Sequence, residues 1–138
     1  MQPAVVDGLA GTRPIRVMIV DDSDEFLRAA RTLVESVPGF VPVAEATSGE
    51  EAVALYGTVA PDLVLMDIRM DGMGGIEAAR RIIGRWPRST VALVTCEDPG
   101  DVPSDALRCG AVRVVQKEEL GIATIAELGR LADARRGD

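Results

Sequence analysis

The run Leu63-Val64-Leu65-Met66 presents apolar side chains to both faces of an extended chain, then ends in Asp67 and breaks into Met70-Asp71-Gly72-Met73-Gly74-Gly75. A strand that is apolar on both sides persists in water only if each face is covered, and the usual solution is a parallel sheet between layers of helices. Pro61 before the run and the glycine-rich break after it hold it to strand length. Asp67 then stands at the carboxyl end of a buried strand, the edge of an open α/β sheet where ligands bind.

Three more runs read as strands. Ile15 to Val20 leads into Asp21-Asp22, Val91 to Val94 leads into Thr95, and Ala111 to Gln116 leads into Lys117. Val41 to Ala46 alternates and contains Pro42, which predicts an edge strand. The segments between them read as helices. After a cap at Ser23 or Asp24, Leu27, Ala30, Val34 and Val37 recur at helical spacing until Pro38-Gly39. Ser48 with Glu51 makes a capping-box pattern ahead of Ala52, Leu55, Tyr56 and Val59. Ile76, Ala79 and Ile83 mark a third helix ending near Gly84. A short fourth helix is expected from Val102 to Cys109, capped by Gly110, and a fifth from about Glu118 or Gly121 to about Ala134. Five βα units joined by right-handed crossovers give one parallel five-stranded α/β sheet with helices on both faces. The expected organisation is a flexible tail over residues 1–14, one domain over residues 15–134, and a tail or truncated linker over residues 135–138.

Composition narrows the function. With 22 acidic and 15 basic residues the formal charge is -7, so the chain lacks the basic face that nucleic-acid or anionic-membrane binding requires. No apolar segment reaches the ~18 residues of a membrane span. Histidine is absent, which removes imidazole-based metal and triad chemistry. Met1 to Asp7 lacks the basic and apolar regions of a secretory leader, so a cytoplasmic location is expected, with Cys96 and Cys109 reduced.

Four strands thus end in Asp21-Asp22, Asp67, Thr95 and Lys117, all at one edge of the sheet. This is a set suited to phosphoryl chemistry. A carboxylate attacks a phosphoryl group poorly because both are negative, so charge on the phosphoryl oxygens must be neutralised. Mg²⁺, a hard ion that takes one or two carboxylates plus waters and substrate oxygens, suits Asp22 and Asp67, with Asp21 acting through water. A lysine ammonium and a threonine hydroxyl would hold two phosphoryl oxygens.

The segments VMIVDDSDEF, PDLVLMDIRM, ALVTCEDP and CGAVRVVQKEEL resemble, in order and spacing, the motifs of two-component response-regulator receiver domains. The resemblance spans about residues 15 to 132, and DIRM…G with a lysine not followed by proline is most similar to the NarL-like branch. It implies a flavodoxin-like fold with strand order 2-1-3-4-5. It implies that Asp67 accepts a phosphoryl group from a sensor histidine kinase, with Mg²⁺ held by Asp22, Asp67 and the backbone carbonyl of Arg69. It implies support of the ion by Asp21, contacts of Thr95 and Lys117 with the phosphoryl group, and output through the surface of the fourth helix, fifth strand and fifth helix. Receivers of this branch usually precede a helix-turn-helix domain, which leaves open a DNA-binding output domain outside this chain; no nucleic-acid contact by the chain itself is expected.

Several residues depart from the family pattern. Asp71 stands where proline is common and Gly74 where aspartate is frequent, which predicts a looser loop with extra charge near the metal. Val114 replaces the aromatic residue that changes rotamer as the threonine moves, so that switch cannot operate in its usual form. Cys96 replaces a common alanine, and Glu118 follows Lys117 in place of proline. In the last helix Ile122, Ile125, Ala126, Gly129 and Ala132 share a face that Leu128 and Leu131 widen beyond a core stripe, which leaves open a homodimer through this helix. Two rival functions remain: an interaction module independent of phosphorylation, motivated by Val114 and Asp71, and a small Mg²⁺-dependent phosphohydrolase of the haloacid-dehalogenase type, motivated by Asp22-Ser23-Asp24.

Overall fold

The structure, a computed structural model, describes residues 13–136. Strands β1 (Ile15–Val20), β2 (Phe40–Ala46), β3 (Leu63–Asp67) and β4 (Val91–Thr95) are joined in turn by helices α1 (Asp24–Glu35), α2 (Gly49–Val59) and α3 (Gly75–Arg85), and β5 (Arg113–Gln116) is followed by α4 (Ile122–Arg136). The strands form one sheet in the order β2-β1-β3-β4-β5, and every pairing is parallel. This is the flavodoxin-like (βα) arrangement expected from the sequence.

The alternation of side chains along the strands divides the core into two layers. Met18, Val20, Val64, Met66, Val91 and Leu93 meet α2 and α3 through Ala52, Tyr56, Ala78, Ala79 and Ile82. Ile15, Val17, Ile19, Leu63, Leu65 and Val94 meet α1 and α4 on the opposite face. All residues of β3 and β4 are buried, as a strand apolar on both sides requires. β2 is the edge strand, and its register with β1 slips between Val17 and Met18, next to Pro42, which has no N–H to give the ladder.

Helix ends follow local chemistry. The Ser23 hydroxyl accepts from the Phe26 N–H at 3.2 Å and the Ser48 hydroxyl from the Glu51 N–H at 3.0 Å. The return bond of the second cap goes one residue further back, with the Glu51 carboxylate accepting from the Thr47 N–H at 2.8 Å.

Two expectations need correction. The helix predicted from Val102 to Cys109 does not form: the segment contains 3-10 turns at Pro99–Asp101 and Ser104–Leu107. Pro103 is the cause, because a residue preceding proline is driven out of the helical region, and Val102 accordingly sits at φ -74°, ψ 130°. Ala106 and Cys109 still turn into the core beside α3, so the turns do the covering work of a helix. The predicted fifth helix is therefore α4, and it runs past Ala134 through Arg136. Arg135 donates to the Ser89 carbonyl at 2.7 Å, and Arg136 pairs with Asp62 at 3.0 Å while donating to the carbonyls of Pro14 at 2.9 Å and Arg13 at 2.7 Å. Cations at a helix C-terminus are favoured by its dipole.

Residues 135 and 136 are thus part of the helix rather than of a tail. The remainder of the expected N-terminal tail, residues 1–12, and residues 137–138 lie outside the described residues. Leu128 is fully buried and Leu131 packs against the same cluster, so the core accounts for both leucines and leaves Ile122, 54% exposed, as the outward apolar residue of α4. Among the described residues no helix is long and apolar enough to cross a membrane. Cys96 and Cys109 are both free thiols.

Candidate functional site

The parallel register brings the carboxyl ends of β1, β3, β4 and β5 to one edge, and Gly75 lets α3 start directly behind Asp67. A Cβ at Gly75 would collide with the Asp67 carbonyl, so only glycine admits this approach. At this edge Asp21 and Asp67 are buried and Asp22 is exposed. One oxygen from each of the three carboxylates lies within 4.8 Å of the others. Asp21 is tied down at both oxygens: Oδ1 accepts from the Ser23 N–H at 2.8 Å, and Oδ2 is 2.7 Å from Lys117 Nζ. The same ammonium lies 3.7 Å from Asp67 Oδ1.

Lys117 reaches inward from the 3-10 turn Lys117–Glu119 and passes 4.3 Å from the centroid of the Phe26 ring. An aromatic face attracts a cation and fixes its position. Sequence reasoning singled out the lysine but not the ring. Phe26 was hidden because it belongs to α1 and has no motif of its own.

Burial first, and then the negative charges of Asp21 and Asp22, push Asp67 up to about 6, while Lys117 and the Arg69 backbone N–H work in the opposite direction. For Lys117 burial lowers the pKa, but the hydrogen bond to Asp21 and the charges of Asp67 and Asp21 outweigh it and leave the ammonium above its ordinary value. Three carboxylates against one ammonium make a spot of excess negative charge lined by hard oxygen donors. That donor set fits a divalent cation such as Mg²⁺. Asp22 and Arg69 also border an adjoining open cavity of about 350 Å³ with Met70, Asp71 and Gly72.

Thr95 is at the same edge, on the strand beside Asp67, in register one position beyond Val94. Its hydroxyl is engaged with Glu97: it accepts from the Glu97 N–H at 3.0 Å and donates to the Glu97 carboxylate at 3.4 Å. Glu97 is in turn gripped by the Arg69 guanidinium at 2.9 Å, and its carbonyl accepts from the Gln116 side chain at 2.8 Å. One residue thus links the ends of β3, β4 and β5. Sequence reasoning missed it, although a carboxylate two residues past Thr95 and a guanidinium two past Asp67 were both visible.

The loop after Asp67 is not slack. The Glu50 carboxylate, from the first turn of α2, accepts from the Met73 N–H at 3.1 Å, and the Gly75 N–H closes back on the Ile68 carbonyl at 2.9 Å. Gly74 does leave the N-terminus of α3 without a side-chain cap. Among the described residues no peptide bond is cis, so the bond between Lys117 and Glu118 is trans.

A doubly wound parallel sheet with a carboxylate cluster and a lysine at its carboxyl edge defines a flavodoxin-like domain built to handle a cation and an anion together. The comparisons give the family. The profile of the response regulator receiver domain matches residues 17–127. Response regulator GacA of Pseudomonas viridiflava is 34% identical over 120 residues, covering 87% of this chain and 56% of that protein. Response regulator UvrY of Escherichia coli K12 is 34% identical over 103 residues, covering 75% of this chain and 47% of that one. A LuxR-family two-component response regulator from Aurantimonas sp. SI85-9A1 superimposes with a TM-score of 0.79 at 32% identity, covering 88% of this chain and 87% of that chain. The chain belongs to the response-regulator receiver domain family, with relatives in the NarL/LuxR group. It spans about half the length of the curated relatives it matches.

Proposed function

We propose that this chain is the phosphoacceptor unit of a two-component system, and that a sensor histidine kinase is its donor. An Asp67 carboxylate oxygen attacks the phosphorus of a phosphohistidine, the P–N bond breaks as the P–O bond forms, and the imidazole leaves with its proton. Asp22, Asp67 and the Arg69 backbone carbonyl would hold Mg²⁺, with Asp21 behind it through water. The ion would supply charge neutralisation on the phosphoryl oxygens. Lys117 takes one phosphoryl oxygen, and the Thr95 hydroxyl takes another once it leaves Glu97. The acyl phosphate then hydrolyses, so the only turnover is the domain's own.

The observation that supports this most is the Lys117 ammonium, 2.7 Å from Asp21 and 3.7 Å from Asp67, beside the carboxylate that burial keeps near pKa 6. Such a lysine can pass from the resting carboxylate to a phosphoryl oxygen by a small movement. The wider reading is a cytoplasmic receiver domain that runs from β1 through the end of α4 at Arg136. With a net charge of -7 this chain makes no direct contact with DNA.

Incubation with acetyl phosphate and Mg²⁺ tests the proposal by intact mass. One added phosphoryl group, lost in Asp67→Asn and in EDTA, is expected; no addition to the wild type refutes it. That null result would favour a phosphorylation-independent module, a reading motivated by Val114 and by the engagement of Thr95 with Glu97. The phosphohydrolase reading is not favoured, since Asp24 opens α1 and stands outside the carboxylate cluster.

A further inference from the structure

Between β4, β5 and the 3-10 turns lies a second cavity, of about 280 Å³. Pro99, Val102, Leu107 and Val114 give it apolar walls, and Thr95 and Gln116 add polar lining. It is smaller than the roughly 300–1,000 Å³ of most small-molecule pockets. A single bulky side chain is a better match. Leu107, at the rim, is 74% exposed, an unusual position for a large aliphatic residue with nothing against it.

The surroundings are strongly acidic. Asp98, Asp101 and Asp105 lie along the turns, Glu119 lines the cavity, and Glu118 precedes it in the turn after β5. None of these five forms an ion pair among the described residues. Two nearby cations are spent elsewhere, Lys117 on Asp21 and Asp67, and Arg113 on Glu127 at 3.3 Å, which leaves Arg108, exposed beside Leu107, as the one positive charge on the turns against these five carboxylates. An apolar hole in surroundings of net negative charge selects an apolar anchor carried among positive charges, the anchor supplying affinity and the charges orientation and on-rate.

We infer that this cavity is a docking site for a lysine- or arginine-rich polypeptide segment that inserts one large apolar side chain beside Val114. The hole exists with Asp67 unmodified, so binding does not require phosphorylation; its coupling to phosphorylation and its use as the receiver's output contact rest on the function proposed above. The anchor would touch Thr95, whose hydroxyl is also assigned to the phosphoryl group, so the two events are linked, and each changes the other's equilibrium by the same factor.

The test uses the whole chain and two dye-labelled helical peptides of lysine and alanine, identical except that one carries a central phenylalanine. Anisotropy titrations at two salt concentrations read affinity, and amide chemical shifts read location. The phenylalanine peptide should bind at least about tenfold more tightly than its counterpart, shift Thr95, Val102, Leu107 and Val114, and weaken with salt. Val114→Phe, which fills the hole from within, should remove the phenylalanine preference. So should Leu107→Asp, at a position exposed enough that the fold is not at stake, while Glu119→Lys should weaken both peptides. Equal binding of the two peptides, no binding of either, or an undiminished preference in both cavity variants overturns the inference. Acetyl phosphate labelling of Asp67 is read separately by mass. A chain that binds the anchor but takes no phosphoryl group would refute the receiver function and leave this site standing.

Discussion

Asp67→Asn should make the protein more stable at neutral pH, although it removes a group that contacts a lysine. The carboxylate is buried at the end of β3 beside Asp21 and Asp22, with Lys117 closer to Asp21 at 2.7 Å than to Asp67 at 3.7 Å. Folding raises its pKa from 3.8 to about 6. A raised carboxylate pKa means that the folded state holds the proton more tightly, so Asp67's contribution is fully present below about pH 4 and is lost as pH rises through about 6. Two pKa units correspond to about 3 kcal/mol, and relaxation and water access place the observable effect on the order of 1–3 kcal/mol. An asparagine carries no charge to desolvate and leaves Lys117 with Asp21. Urea unfolding in EDTA at pH 4.5 and 7.5 measures this. The variant should exceed wild type by on the order of 1–3 kcal/mol at pH 7.5 and by much less at pH 4.5. If the three carboxylates hold Mg²⁺ as proposed, the ion should stabilise wild type more than the variant, since the cluster exists only in the folded state. A variant less stable than wild type at pH 7.5, or a difference that does not shrink at the lower pH, would show that burial and carboxylate repulsion do not govern Asp67.

Three further outcomes follow from the same geometry. Lys117→Ala leaves Asp21 and Asp67 facing each other without a cation; it should destabilise the apo protein by about 3 kcal/mol, the cost of breaking a buried pair, and abolish acetyl phosphate labelling, both measured against a wild-type control. Glu97→Gln weakens the grip on Arg69 and the hold on the Thr95 hydroxyl, so labelling of Asp67 should run faster than wild type by several-fold in stopped-time mass measurements; an equal or slower rate would mean that Glu97 does not restrain Thr95. Gly129→Ala places a methyl group in the Phe40 ring, and overpacking of this kind should lower stability by about 1–3 kcal/mol in urea without changing labelling.

Much of this architecture was legible because its signals are local. A strand apolar on both faces dictates helices on both sides of a sheet, and Pro42 marked the edge strand through a missing donor. The site carboxylates and Lys117 were legible for a related reason, since each follows directly on a strand and strand order then brings them together. What escaped was decided by tertiary partners or by one overruling residue. The pattern from Val102 to Cys109 has helical spacing, but Pro103 forbids Val102 the helical region and the segment breaks into 3-10 turns. Leu128 and Leu131 looked like excess apolar surface because periodicity cannot say how wide a groove the sheet offers. Phe26 under Lys117, and Glu97 between Arg69 and Thr95, are contacts across 91 and 28 residues of sequence that no local pattern encodes.

The missing helix and the Glu97 contacts bear on how a change at Asp67 could travel without an aromatic at residue 114. A hydrogen-bonded α-helix moves as a unit, whereas the stretch from Asp98 to Arg108 is held internally by short-range bonds, such as Asp101 N–H to the Asp98 carbonyl at 2.9 Å and Arg108 N–H to the Asp105 carbonyl at 3.0 Å. Segments with so few internal bonds reshape at low cost. Glu97 is the first residue before that stretch, and it holds the Thr95 hydroxyl, the Arg69 guanidinium and the Gln116 amide together. Drawing Thr95 towards Asp67 must break at least one of those three contacts, and the chain that follows Glu97 is the part least able to resist. A route from the acidic edge to the turns would therefore need no rotating ring: it would run through Glu97, whose carboxylate meets Arg69 and Thr95 and whose backbone carbonyl meets Gln116, at three adjacent strand ends.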